Sequence, residues 1–192
     1  LSSMKIKYAA TPTKHRYLIN TYCILDKHLI NTYYIPTRYL LGIHMILTIA
    51  NRKGGISKTS IARNLYFSLE ADAILDQDTN ANVISFSILR KLKNPTLEQM
   101  NVLSAIGDKK ALKELLTPYL GTKKLIIIDC AGADTDITRA ALYMSDLIIC
   151  PCNETLDVQI STNKFLTSVK QIEQNTNTNL NVHMIKSLEH ST

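Results

Sequence analysis

The sequence contains no run of apolar residues long enough to cross a membrane, for which about 20 consecutive residues are needed. No secretion signal is recognisable, and there is no internal repeat or low-complexity tract. The four cysteines, Cys23, Cys130, Cys150 and Cys152, lack the spacing against histidine that is typical of a metal site. These absences disfavour a membrane-spanning, secreted or zinc-binding protein, and we expect a cytoplasmic protein with reduced thiols.

The positive charge of the chain is concentrated in its first 44 residues. The 192 residues have a net charge of +6. Residues 1–44 contain six Lys or Arg and one acid, whereas residues 45–192 contain 16 Lys or Arg and 15 acids. Residues 1–44 also hold six of the nine tyrosines. Either translation begins at Met45 and this leader derives from upstream sequence, or the leader is a basic, tyrosine-rich arm that contacts nucleic acid. We therefore place the domain at residues 45–192.

From Met45 onward, short apolar segments alternate with helical patterns. This order predicts an α/β fold with a mainly parallel sheet and flanking helices, in three layers. Segment 79–95 fits either a strand or a helix. The predicted strands are 45–50, 73–75, 125–128, 147–150 and 180–185, and the predicted helices are 58–70, 97–118, 135–144 and 157–173.

A glycine-containing loop lies between the first predicted strand and the first predicted helix. Exposed backbone N–H groups in such a loop bind phosphate, and the N-terminus of the following helix adds a positive dipole. We expect Lys58 to bind the β- and γ-phosphates of a nucleotide and Thr59 to offer a hydroxyl to Mg²⁺. A simple strand-to-helix turn is the alternative. The predicted phosphate-binding residues are Gly54, Gly55, Ile56, Ser57, Lys58, Thr59 and Ser60.

Three aspartates follow predicted strands, where ligands bind in an open α/β sheet. Asp76 and Asp78 come after the second strand, and Asp129 ends the strand formed by residues 125–128. Mg²⁺ bound to phosphates takes few protein ligands and keeps several waters, so a carboxylate at the end of a strand suits it. We therefore predict that Asp129 holds Mg²⁺ through water. The alternative for Asp129 is a structural cap of the next element.

The segment Lys53-Gly54-Gly55-Ile56-Ser57-Lys58-Thr59 resembles the deviant Walker A loop, K-G-G-x-G-K-S/T, of the ParA/MinD family of ATPases. Residues 76–80 resemble the family's D-x-D-P-Q motif, with the proline and glutamine replaced. Residues 128–134 resemble its switch II region, and residues 145–157 resemble a segment of its small partition ATPases. The four motifs occur in the family's order, and the resemblance extends over residues 45–186.

The resemblance implies a P-loop NTPase that binds ATP and Mg²⁺. In such a site Asp76 lies near the metal and Asp78 orients the attacking water. Lys53 would reach the phosphates of the partner in an ATP-dependent homodimer, although it could also be a solvated loop lysine. A ParA-like protein would use this cycle for plasmid or chromosome partition, together with a ParB-like centromere-binding adaptor and non-specific DNA. The alternatives are a MinD-like positioning ATPase, which needs a C-terminal amphipathic helix, and a nucleotide-binding interaction protein with little hydrolysis.

Two features depart from the family pattern. Ser57 replaces a glycine at a position where the backbone approaches phosphate and needs a positive φ. A residue with a side chain is strained in that conformation by on the order of 1 kcal/mol. Residues 45–192 are also shorter than most family domains, so we expect a domain that is incomplete at its C-terminus. Both features predict weak nucleotide binding or slow turnover.

Overall fold

The computed structural model describes residues 45–105 and 107–187, and the predicted leader, residues 1–44, lies outside them. Of the cysteines, Cys130, Cys150 and Cys152 lie in the described part and are free thiols. The strands are β1 (Met45–Ile49), β2 (Ala73–Asp76), β3 (Val102–Ser104), β4 (Leu125–Asp129), β5 (Leu147–Cys152) and β6 (Val182–Lys186). The helices are α1 (Lys58–Ser68), α2 (Asn82–Lys93), α3 (Lys109–Leu116), α4 (Asp136–Met144) and α5 (Leu156–Thr176), and Thr117–Tyr119 form a 3₁₀ turn.

The strands form one parallel sheet in the order β3-β2-β4-β1-β5-β6. The predicted α/β fold with a mainly parallel sheet is therefore confirmed. Strand β1 lies between β4 and β5, so the chain leaves β1 in one direction for β2 and returns later to its other side. In open α/β sheets, ligands bind at the carboxyl ends of the strands where the strand order reverses in this way.

Alternate residues of the central strands bury their side chains on opposite faces of the sheet. On β4, Ile126 and Ile128 belong to one core cluster and Ile127 to the other. The first cluster contains residues of α3, α4 and α5, such as Phe165, whereas the second contains residues of α1 and α2, such as Ile61. All three isoleucines of β4 are fully buried, which explains why this strand reads as a continuous apolar run. The sheet is thus the middle of three layers.

One predicted helix, 97–118, was wrong in its first half. Residues Val102–Ser104 instead form β3, which pairs with β2 at the edge of the sheet. Gly107 then adopts a positive φ of 76°, and Asp108 accepts a hydrogen bond from the backbone N–H of Lys110 to start α3. The apolar residues of this segment lie near helical spacing, which misled the prediction. In the structure the backbone groups of the same residues pair with β2, so they form a strand.

The remaining boundaries differ from the prediction by only a few residues. The undecided segment 79–95 contains helix α2, and the last strand begins at Val182. Within residues 45–105 and 107–187, no helix is both long and apolar enough to cross a bilayer.

Candidate nucleotide-binding site

The predicted site residues meet at the carboxyl ends of β1, β2 and β4. In the sheet register, Asp129 lies directly beside Ile49 of β1 on one side and Asp76 of β2 on the other. Ile49 leads into the glycine loop, so the two aspartates and the loop share one edge of the sheet. The topology thus brings together groups that are about 80 residues apart in the sequence.

The loop has the backbone that its sequence pattern predicted. Gly55 has a φ of 77°, and Ser57, which precedes α1, has a φ of 65° and a ψ of 20°. Ser57 is therefore in the left-handed region that favours glycine, and its side chain makes no capping hydrogen bond to α1. The expected positive φ at Ser57 is confirmed.

Lys58 folds back over the loop from the first turn of α1. Its Nζ donates a hydrogen bond of 2.8 Å to the backbone carbonyl of Lys53. Burial lowers the pKa of this amine, while the nearby Asp129 opposes that shift. A Cβ at Gly132 would lie 3.5 Å from the Lys58 Nζ and 3.6 Å from the backbone oxygen of Arg52. The segment after β4 therefore rests directly against the loop and its lysine.

The carboxylate of Asp129 is the most unusual group of the site. The residue is 1% exposed, and neither of its oxygens has a hydrogen-bond partner among the described residues. Burial raises the pKa of Asp129 to about 6, and Asp76 adds to the rise. The neighbouring Thr59 hydroxyl and Lys58 ammonium act in the opposite direction, but neither makes a well-formed hydrogen bond to the carboxylate. A buried carboxylate without partners is costly unless something binds it.

Asp76 differs from Asp129 because its oxygens are already used by the backbone. Its Oδ1 accepts a hydrogen bond of 3.0 Å from the N–H of Asp78, and its Oδ2 accepts bonds of 3.0 and 3.4 Å from Val83 and Ile84. Burial raises the pKa of Asp76, and these hydrogen bonds oppose the rise. Asp76 therefore fixes both the turn that carries Asp78 and the start of α2.

Asp78 is half-buried at the edge of the site. Its Oδ1 accepts hydrogen bonds of 3.0 and 2.9 Å from the backbone and side-chain nitrogens of Asn80. This local turn holds the carboxylate in one orientation, as expected for an Asx motif.

Lys53, the first residue of the loop motif, is paired within the chain. Its Nζ lies 3.0 Å from Oδ2 of Asp157, in the first turn of α5. Both side chains are exposed to solvent, at 39% and 73%. An exposed pair of this kind contributes little to stability. Lys53 is therefore held at the surface of the site by a weak contact that another group could replace.

Sequence reasoning missed two residues that shape the site. Asn51 is buried, and its side chain accepts a 3.0 Å hydrogen bond from the N–H of Lys53 and donates bonds of 2.8 and 3.0 Å to Pro151 and Thr162. It thereby ties the loop to β5 and α5. Its position next to the glycine loop was the only signal in the sequence, because its partners lie about 100 residues away.

Asp134 is the second missed residue. It forms two hydrogen bonds with Arg139, of 2.7 and 2.8 Å, and accepts one of 2.7 Å from Ser168. Its Oδ2 also lies 3.5 Å from Nη1 of Arg52 in the loop. The hydrogen bond with Arg139 lowers the pKa of Asp134. This carboxylate joins the loop, α4 and α5, so it fixes the segment 130–134 relative to the loop.

The donor set at this edge fits Mg²⁺ only in combination with phosphate. Among residues 45–105 and 107–187, no group of three or more His, Cys, Asp or Glu side chains is placed to hold a metal ion. The unpartnered Asp129 oxygens and the Thr59 hydroxyl nevertheless supply the hard oxygen atoms that Mg²⁺ takes from proteins when phosphates and waters complete its shell.

Three features define the class of the fold as a P-loop NTPase. They are the parallel sheet, the glycine loop after β1 and the acids at the ends of β2 and β4. No family model and no curated sequence matches this chain significantly. Solved structures do match it. A plasmid partition protein from Borrelia burgdorferi superposes with a TM-score of 0.61 and 21% identity, over 77% of this chain and 81% of that protein.

Two further solved structures carry nucleotides. An McdA variant from Cyanothece in complex with ATP matches with a TM-score of 0.59 and 22% identity, over 76% of this chain and 71% of that one. Cobyrinic acid a,c-diamide synthase from Mycobacterium smegmatis, with ADP and magnesium, gives 0.58 and 22%, over 75% and 74%. The chain therefore has the fold of the ParA/MinD type of P-loop ATPases, and the resemblance predicted from the motifs is confirmed at the level of the fold.

Proposed function

We propose that this chain is a ParA-like ATPase that binds Mg-ATP, dimerises on ATP and hydrolyses it to drive DNA partition in the cytoplasm. The observation that carries the proposal is the buried Asp129 carboxylate, which has no hydrogen-bond partner within residues 45–105 and 107–187 and lies close to Lys58 and Thr59. A lysine and a carboxylate in this arrangement suit a phosphate chain and its metal ion. The same fold in proteins crystallised with ATP, or with ADP and magnesium, supports this choice of ligand.

The glycine loop would hold the nucleotide. The N–H groups of the loop and of the first turn of α1 would donate to the phosphates, with Ser57 and Ser60 adding hydroxyls, while the buried Lys58 amine would exchange the carbonyl of Lys53 for a phosphate oxygen. Thr59 and Asp129 would hold Mg²⁺, and Asp76, whose oxygens accept backbone hydrogen bonds, would lie near the ion. When bound, Mg²⁺ neutralises charge on the phosphate oxygens.

Asp78 would position the attacking water. Its Oδ1 is engaged by Asn80, which leaves Oδ2 to accept a hydrogen bond from water. Hydrolysis of a phosphoanhydride depends mainly on positioning the water and on stabilising charge. In this chain the Asp78 carboxylate would do the first and the Lys58 amine the second. The Asp78 carboxylate would hold the water in line with the γ-phosphate.

Lys53 would act after dimerisation. We propose that it leaves Asp157 and binds the phosphates of the partner subunit in the ATP-bound homodimer. Since the pair with Asp157 is exposed, breaking it costs little. The likeness to a plasmid partition protein supports a role in partition, with a ParB-like adaptor and non-specific DNA as partners.

A second candidate is a nucleotide-binding interaction protein with little hydrolysis. The positive φ of Ser57 favours it, because a serine side chain is strained in that conformation and sits where the loop approaches phosphate. Nucleotide would then control binding to a partner without turnover.

Phosphate release separates the two candidates. We expect wild-type protein to release phosphate from Mg-ATP, and Asp78→Asn to bind Mg-ATP with unchanged affinity but to release phosphate at least about tenfold more slowly, because the water loses its acceptor. Lys170→Ala, in an exposed position of α5, is the control and should behave as wild type. If wild type and Asp78→Asn both release phosphate no faster than buffer alone, the chain is better described as a nucleotide-binding interaction protein.

A further inference from the structure

A stripe of exposed aliphatic side chains runs along the outer face of α2. Ile88, Leu89 and Leu92 are 56%, 55% and 71% exposed. Their spacing of i, i+1 and i+4 puts them on one side of the helix, opposite Val83, which is fully buried against the sheet. Single exposed apolar residues are common on proteins, but three adjacent ones on one helix face form a continuous apolar surface.

Basic groups border this stripe on both sides. Lys93 follows Leu89 by one turn, and Lys91 follows Ile88 by nearly one turn, so they lie on opposite flanks of the stripe. Residues 79–97 contain Arg90, Lys91 and Lys93 and no acid. The outer face of α2 is therefore apolar, with Lys91 and Lys93 as its flanking cations.

The flanking cation Lys91 is held in place by the protein, as is Arg90 on the opposite side of the helix, seven positions after the buried Val83. Arg90 donates a 2.6 Å hydrogen bond to the backbone oxygen of Glu98 and stacks 4.9 Å from the ring centre of Phe67. Lys91 donates a 2.8 Å bond to the backbone oxygen of Leu97. Cations fixed at defined positions suit carboxylates that are themselves fixed on a folded partner, because little side-chain freedom remains to be lost.

Charge argues against both parts of this protein that could cover the stripe, the segment 1–44 and a second copy of the chain. Residues 1–44 have six basic residues and one acid, so this segment would be repelled by the basic flanks of α2. A second copy that docked through the same face would bring the same cations together, which is unfavourable. The complementary occupant is a helix of another protein with an aliphatic face and acidic flanks.

We propose that the outer face of α2 is a docking surface for an acidic amphipathic helix of a partner protein. The partner's aliphatic residues pack on Ile88, Leu89 and Leu92, and its Asp or Glu side chains pair with the cations on the flanks. Helix α2 is about 18 Å long, which accommodates roughly three turns of a partner helix. This surface does not involve the residues proposed to bind nucleotide.

The test uses the full chain and a synthetic helical peptide about 18 residues long, with leucines on one face and glutamates on its flanks. A second peptide carries lysine in place of each glutamate. We expect the acidic peptide to bind in the micromolar range, more weakly at high salt, and the lysine peptide not to bind. Amide-exchange protection on the peptide-bound protein should be confined to α2 and the segments beside it.

Variants of the chain locate the binding surface. The double variant Leu89→Ser/Leu92→Ser should lose at least about tenfold in affinity for the acidic peptide, because two aliphatic contacts disappear. Lys93→Glu should weaken binding several-fold, whereas Leu120→Ser, an exposed leucine outside α2, should leave it unchanged. A melting curve for each variant verifies that it is folded.

Three results would overturn the proposal. The first is no binding of the acidic peptide to folded wild type, and the second is equal binding of the two peptides. The third is binding to vesicles of equal parts phosphatidylglycerol and phosphatidylcholine that the double serine variant abolishes while the peptide does not bind. That outcome would assign the stripe to a membrane surface instead.

Discussion

Replacing Asp129 with asparagine should stabilise the nucleotide-free protein at neutral pH. The carboxylate is 1% exposed and its oxygens have no partner among the described residues, so its charged form is unfavourable in the folded state. Its pKa is raised from 3.8 to about 6. This rise in the pKa corresponds to roughly 3 kcal/mol. Because the asparagine amide is also left without partners, we expect a net gain of about 1–3 kcal/mol.

The sign of the pH dependence follows from the raised pKa. Between about pH 4 and pH 6 the folded protein keeps a proton on Asp129 that the unfolded chain has lost, so the free energy of unfolding falls as pH rises through this window. Asp129→Asn removes this dependence. Asp76, whose pKa is also raised by burial, titrates in both proteins, but its repulsion of the Asp129 carboxylate is lost in the variant and forms part of the difference.

The assay is urea unfolding of wild type and Asp129→Asn without nucleotide or metal, at several values from about pH 4 to pH 8. The two curves should nearly coincide near pH 4 and diverge as pH rises, with the variant more stable. Addition of Mg-ATP should then stabilise wild type and leave the variant almost unchanged. A variant that is less stable than wild type at every pH would refute the reasoning, because it would mean that the carboxylate already has favourable partners.

Two further predictions concern the loop and its lysine. Ser57→Gly should stabilise the fold by up to about 1 kcal/mol and tighten Mg-ATP binding measured by calorimetry, since glycine adopts a φ of 65° without strain. Glu70→Gly is the control for the backbone effect, because Glu70 has a φ of 50° beyond the far end of α1, and it should not change Mg-ATP binding. Equal affinity of wild type and Ser57→Gly for Mg-ATP would contradict the prediction. Asp157→Asn should leave the melting temperature unchanged and strengthen ATP-dependent dimerisation a few-fold in sedimentation experiments, because Lys53 no longer has to leave its partner. A loss of dimerisation as large as that caused by Lys53→Ala would instead place Asp157 in the dimer contact.

The sequence predicted most of the fold because burial in the sheet leaves a direct trace. Strand β4 is buried on both faces. Its run of isoleucines is short and is followed by Asp129 and Gly132, a pattern that indicates a buried strand. Strand β3 left no such trace. It has three residues, lies at the edge of the sheet, and its apolar positions also fit a helix.

The candidate site was predicted in its parts but not in its connections. The resemblance of the loop to a motif with glycine at this position was enough to anticipate the positive φ of Ser57. Some contacts of the site join residues about 100 positions apart, which only the folded sheet brings together. They are the pair of Lys53 with Asp157 and the hydrogen bonds of Asn51 to β5 and α5. That Asp129 has no hydrogen-bond partner in the described part of the chain likewise depends on three-dimensional packing, which no sequence motif encodes.

Calorimetric titration of ATP into the wild-type chain, with and without Mg²⁺, tests the central claim most directly. We expect saturable, Mg²⁺-dependent binding to wild type and to Lys170→Ala, and a loss of at least about tenfold for Lys58→Ala, because the buried amine folds back over the loop and is proposed to bind the phosphates. Absence of Mg²⁺-dependent ATP binding to folded wild-type protein, or unchanged affinity in Lys58→Ala, would contradict the assignment of this edge of the sheet as a nucleotide site.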